Sequence, residues 1–221
     1  MGSIYTSSIG KKLFMSITGL FLIVFLCLHA TINFCYVIDP QLFAGGCEFM
    51  ALPVVTVMTP VLAAGFIIHI IWAFWLSITN LKARGNQRYA VSNKAQADNW
   101  AARNMLVLGI IVLLGIALHL THFWAKMQLQ MFVGGEEMDP IRLMEMTFSS
   151  GWTVAAYIIW FAAVWFHLTH GFWSAFQTVG WNNDIWIKRL KCLGYIVATI
   201  LFLMFVTVAL TAYCRVNCGC C

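Results

Sequence analysis

Five stretches of the chain stay apolar for more than twenty residues each, at roughly 12–37, 54–81, 101–127, 151–178 and 190–213. A helix needs about 20 mostly apolar residues to cross the hydrocarbon region of a bilayer, so each stretch is long enough to span. Between them the pattern breaks at turn-forming residues. These are Asp39-Pro40 and Gly45-Gly46, the polar run from Lys82 to Asn99, Gly134 to Pro140, and Gly180 to Asp184. No internal repeat, low-complexity tract or second domain interrupts the series. Lys11 and Lys12 precede the first run, but no small-residue cleavage site follows it, so the run reads as a span and not as a leader. The pattern predicts an all-α integral membrane bundle of five transmembrane helices, one domain over residues 1–221.

Composition removes the soluble alternatives. Of 221 residues 62% are hydrophobic and only 10% charged, with a mean hydropathy of +0.84. Soluble domains carry about 25% charged residues, and a chain this short cannot hide so much apolar surface in one water-facing core. Disorder, a secreted disulfide scaffold and nucleic-acid binding are excluded on the same ground. The net charge of +5 is explained by position. Ten of the thirteen basic residues (Lys11, Lys12, Lys82, Arg84, Arg88, Lys94, Arg103, Lys188, Arg189, Lys191) fall at the N-terminal end, the second loop or the fourth loop. Those segments share one side, which the positive-inside rule makes cytoplasmic. Six of the eight acids (Asp39, Glu48, Glu136, Glu137, Asp139, Glu145) fall on the other. The expected orientation is N-terminus inside, C-terminus outside.

No Asp, Glu, Lys or Arg lies deep in a span, yet all six histidines do: His29, His69, His119, His122, His167 and His170. A single intramembrane histidine can be satisfied by a backbone carbonyl or a hydroxyl, but ionisable residues inside a bilayer mark functional sites by default. Six of six inside the spans point to shared chemistry. At about 1.5 Å per residue, His29 and His119 both lie about five residues towards the outer face from the centres of spans one and three. His69 sits near the centre of span two, leaning inward, and His167 lies inward of the centre of span four. Two pairs at matched depths result, as two bis-histidine haems stacked across a membrane require. His122 and His170 each follow a paired histidine by three residues, on nearly the same helix face. They could replace it as ligand, line a quinone pocket, or hydrogen-bond locally. No C-x-x-C-H motif occurs, so the haems would be held non-covalently.

At these residues the sequence resembles a known family: the single large, five-helix cytochrome b subunit of succinate:quinone oxidoreductases and quinol:fumarate reductases. Ser16-Ile17-Thr18-Gly19-Leu20-Phe21-Leu22 followed by His29 looks like that family's first helix. Phe166-His167-Leu168-Thr169-His170-Gly171-Phe172-Trp173-Ser174 is similar to its fourth. Ile68-His69 and Leu118-His119-Leu120 match the second and third less specifically, and the details look Bacteroidetes-like. The resemblance implies two b haems with axial pairs His29/His119 and His69/His167, and a quinone, with menaquinone the family-level expectation. It implies a flavoprotein and an iron–sulfur partner on the cytoplasmic face of a bacterial inner membrane. The subunit would pass electrons between quinone and the iron–sulfur partner, without succinate chemistry of its own. Glu48, on the first connection, takes the place of the family's outer quinone-site acid, and His122 is the second quinone candidate or an alternative ligand.

The chain departs from the family at Trp165, where some fumarate-reducing members carry a glutamate, and in a tail with Cys214, Cys218, Cys220 and Cys221. The tail is expected to be exposed or disulfide-forming. Arg84, Arg88 and Arg103 are candidates to pair with propionates of the inner haem. Two competing readings are a small helical transporter or metal-ion permease with histidine ligands, and the cytochrome b anchor of another respiratory enzyme. The first predicts mid-span breaks and an acid on the pathway; Pro60 is the lone proline within a predicted span, near its end, and no mid-span acid exists.

Overall fold

The structure is a computed structural model that describes residues 8–84, 100–181 and 183–219. All regular structure among these residues is helical: α1 (Ser8–Ile38), α2 (Pro40–Ala51), α3 (Pro53–Thr56), α4 (Met58–Arg84), α5 (Trp100–Arg103), α6 (Met105–His122), α7 (Gln128–Val133), α8 (Pro140–Phe148), α9 (Gly151–Val179) and α10 (Asp184–Cys218). Five segments are long and apolar enough to cross a membrane: Gly10–Ile38, Pro53–Lys82, Met105–Lys126, Gly151–Val179 and Asp184–Cys218. The chain is an all-α, multi-pass membrane protein. Its outward surface agrees, with Trp152, Val54, Ile159 and Leu114 among many large apolar side chains left uncovered.

Neighbouring helices in sequence pack antiparallel, in registers that the side chains define. Along α1 and α4, Lys11 lies over the ring of Trp75, Phe14 meets Trp72 and Thr18 meets His69. Along α6 and α9, Trp160 Nε1 donates to the Val112 carbonyl at 3.1 Å and His122 reaches Tyr157. Along α9 and α10, Trp165 Nε1 donates to Thr199 Oγ1 at 3.0 Å and Phe161 stacks on Phe205. Trp165 therefore anchors one helix to another.

The packing makes a ring. α1 packs on α4 and α9, α6 packs on α9, and α4 touches α6 over a short stretch. By contrast α1 does not pack along α6, nor α4 along α9. These are the two diagonals of a four-helix ring. α10 lies outside it, covering α9 and α1. The largest buried cluster, built on Tyr36, Phe43, Phe148, Tyr157 and Phe161, closes the end of the ring where α1 finishes.

Two expectations need correction. Residues 134–139 are irregular as expected, but Pro40 and Pro140 each start a helix, α2 and α8, within connections expected to be loops. Asp39 Oδ1 accepts from Gln41 N at 2.8 Å and Asp139 Oδ2 from Arg142 N at 2.7 Å, each with proline at the first helical position. Proline needs no amide partner there, so Asp-Pro caps a helix start instead of breaking one. Gly45 and Gly46 lie inside α2, where a Cβ on Gly46 would come 3.0 Å from Ile32 of α1. Second, α10 runs well past 190–213 at both ends, capped by Asn183 Oδ1 accepting from Trp186 N and closed by Gly219 at φ 61°. Its 35 residues reach about 50 Å, beyond a hydrocarbon layer of about 30 Å. The tail, expected to be exposed or disulfide-forming, continues α10 as far as Cys218, with Val216, Asn217 and Cys218 exposed and the Cys214 thiol free. Cys220 and Cys221 lie outside the described residues.

Candidate functional site

Most serine and threonine hydroxyls in the spans are satisfied on their own helices. Thr31, Thr79, Thr121, Thr169, Ser174 and Thr207 each donate to a carbonyl three or four residues back. The histidines do not follow this pattern; they reach across the ring.

His29 of α1 and His119 of α6 meet at 5.6 Å between ring centres, with the planes at 86°. His69 of α4 and His167 of α9 meet at 6.4 Å, at 66°. Each pair joins the two helices of one diagonal, which do not otherwise pack on each other. Directly packed helices stand about 8–10 Å apart, so the diagonals are where the ring is widest. All four histidines are half-buried as residues. The pairs also lie at distinct heights. His69 contacts Thr18 and Gly19 of α1, ten residues before His29; Gly109 of α6 faces His167, ten residues before His119. Two helices thus give the same separation, about 15 Å along the bundle.

The surroundings set the state of each ring. Thr18 Oγ1–H is directed at the carbonyls of Phe14 (2.9 Å) and Met15 (3.1 Å), so at 3.2 Å from His69 Nδ1 its oxygen is the acceptor. Nδ1 therefore carries the proton and Nε2 keeps its lone pair, the form that binds a metal. His167 Nδ1 is buried with no hydrogen-bond partner. His29 stacks on Phe25 at 5.4 Å; Asn33 donates to its carbonyl at 2.8 Å and approaches Nε2 only at 3.4 Å. His119 is flanked by Phe123 and Trp160, at 5.2 and 5.7 Å. Trp160 lies so close to Gly115 that a Cβ there would fall 1.9 Å from its indole.

His122 and His170 do not face another histidine. His122 pairs with Tyr157, Nδ1 to Oη at 3.2 Å with the rings 5.9 Å apart at 16°. His170 packs edge-on to Trp173 at 4.9 Å, its Nδ1 buried and unpartnered. Glu48 is exposed on α2 and lines a cleft of about 160 Å³ with Glu137, Asp139, Met127, Met131 and Met138. No histidine lines that cleft. Cys47, beside Glu48, is pushed up to about 12 by burial and then by the Asp139 and Glu48 carboxylates. Arg103 lies on α5; Arg88 and the Arg84 side chain lie outside the described residues.

No protein-family model, curated protein or solved structure matches the chain. Among the described residues no group of three or more His, Cys, Asp or Glu is placed to hold a metal ion. Two-histidine sites leave four equatorial positions of an octahedral metal to another ligand, which is what a porphyrin supplies. Two imidazoles on opposite sides of one iron, at metal–nitrogen distances of about 2 Å, have ring centres about 6 Å apart. The observed 5.6 and 6.4 Å bracket that figure. Together with the open diagonals, they fit two haems, one per pair.

Proposed function

We propose that this chain is a dihaem cytochrome b, the membrane anchor and electron-transfer subunit of a succinate dehydrogenase or fumarate reductase complex. The observation that carries the reading is the placement of two histidine pairs on the two unpacked diagonals of one helix ring. In this reading His29 and His119 hold one b haem and His69 and His167 the other. Bound there, the haems supply one-electron transfer across the bilayer between quinone and an iron–sulfur partner.

The protein's own residues supply binding and insulation. Thr18 fixes the His69 tautomer, and Trp160, Phe123 and Phe205 fill the ring around the His29/His119 level. The basic end, with Lys11, Lys12, Lys188, Arg189 and Lys191, faces the cytoplasm of a bacterial inner membrane. It presents a cationic surface to the flavoprotein and iron–sulfur subunits. The His29/His119 level then lies near the outer face, where menaquinone is handled and Glu48 of the acidic cleft is the candidate proton acceptor. The test is a reduced-minus-oxidised spectrum of the purified chain, with haem counted by extraction. Two low-spin b haems per polypeptide support the proposal, and a haem-free chain rejects it.

A further inference from the structure

His122 stands one helical turn beyond His119, at the last residue of α6, where the chain leaves the helix through Phe123 into a 3₁₀ turn at Trp124–Lys126. Its ring is half-buried and stacked on Tyr157, which is 1% exposed. The hydroxyl of Tyr157 has one side-chain partner, His122 Nδ1 at 3.2 Å. A buried hydroxyl must place its proton on an acceptor, and here that acceptor is Nδ1. The proton of neutral His122 therefore sits on Nε2. That nitrogen makes no hydrogen bond within the described chain, and unlike Nδ1 of His167 and His170 it is not sealed by protein. The result is a fixed N–H donor near the membrane face, with Phe123 bridging it to His119 and Tyr157 packed on Trp160 at 5.6 Å.

Resting on the cytochrome reading above, we propose that His122, positioned by Tyr157, is the hydrogen-bond donor to a quinone carbonyl at the His29/His119 level. A quinone oxygen is a neutral acceptor that needs an oriented donor beside an apolar wall. His122 Nε2–H is that donor, and the half-buried Phe123 ring is the wall. Tyr157 is a positioning residue: without its hydroxyl the proton on His122 is free to occupy Nδ1, and the donor towards quinone is lost. The charged or titratable groups facing His122 are Lys126 on the following turn, His119 one turn back and Tyr157 across the helix interface. None of them is a carboxylate competing for the Nε2 proton.

The test uses the purified full chain as isolated with its haems, titrated with menaquinone-2 and followed by quenching of tryptophan fluorescence, in wild type, His122→Phe and Tyr157→Phe. The proposal expects His122→Phe to weaken menaquinone-2 binding about tenfold, the loss of one good hydrogen bond, and Tyr157→Phe to weaken it severalfold. Both variants retain two haems per chain. Wild-type affinity in His122→Phe overturns the proposal, and so does loss of a haem in that variant, which would make His122 a ligand. Failure of the cytochrome reading appears separately, as absence of haem from the wild type. The fluorescence titration needs no haem and decides the role of His122 in either case.

Discussion

Gly115→Ala tests whether Trp160 shapes the His29/His119 level. The new Cβ would stand 1.9 Å from Trp160 Cδ1 and 2.2 Å from both Cγ and Nε1. Ordinary contact begins near 3.4 Å, so the indole must retreat by about 1.5 Å. It has little room, with Phe161 at 5.4 Å, Tyr157 at 5.6 Å and His119 at 5.7 Å between ring centres. That retreat takes Nε1 out of range of the Val112 carbonyl, now 3.1 Å away. Stranding a half-buried donor costs about 1–3 kcal/mol and overpacking about 1–3 more, against about 0.5–1 gained from alanine's helix preference. The net loss of about 1–5 kcal/mol corresponds to a melting temperature lower by roughly 2–20 °C. Thermal melts in detergent and the spectrum of the haem at the His29/His119 level are the readouts. Gly171→Ala is the control, since nothing lies within 4 Å of its Cβ position. If Gly115→Ala melts and absorbs like Gly171→Ala, the account of this level is wrong. If Trp160→Leu added to Gly115→Ala fails to recover any stability, the clash is not the cause.

Other expectations follow from single contacts. Thr18→Val keeps the side chain's shape but removes the acceptor for His69 Nδ1–H; haem titration should show one of the two haems bound about 10–100-fold more weakly, the other unchanged. Glu48→Gln should leave both haems in place and lower menaquinol oxidation at least tenfold; unchanged turnover would remove Glu48 from the quinone chemistry. Cys47, raised from 9.0 to about 12, stays a neutral thiol at pH 8, since the reactive thiolate appears only as pH approaches the folded value. Iodoacetamide labelling followed by mass spectrometry should leave Cys47 unmodified at pH 8 in the folded protein and modify it after denaturation. Labelling of folded Cys47 at the rate of a free thiol would contradict the burial.

The five spans were legible because hydropathy needs no knowledge of packing: an apolar run of twenty residues has few other fates. The depth arithmetic paired His29 with His119 and His69 with His167, and those rings do meet across the ring of helices. It worked because α1, α6 and α9 run unbroken through their histidines, so residue number measures height. Helices α2 and α8 were missed because Asp-Pro was weighed as a breaker, whereas an aspartate that accepts from the amide two or three residues on marks a start. The real ends of α10 were missed because a window of hydropathy gives out near charged clusters, while the helix continues through Lys188 and Arg189 at one end and Arg215 at the other. Tyr157 was invisible for another reason. In the chain it is one aromatic among many in an apolar run, and only the register that sets Trp160 against Gly115 brings it to His122.

The central claim is that two histidine pairs each hold one haem, and substitution of the four histidines one at a time addresses it most directly. Haem would be counted and reduced-minus-oxidised spectra recorded for the purified chain and for His29→Ala, His69→Ala, His119→Ala and His167→Ala. The account predicts two b haems in the wild type, with His29→Ala and His119→Ala altering one signal and His69→Ala and His167→Ala altering the other. A wild type without haem, or losses that group the four residues in any other way, would contradict it.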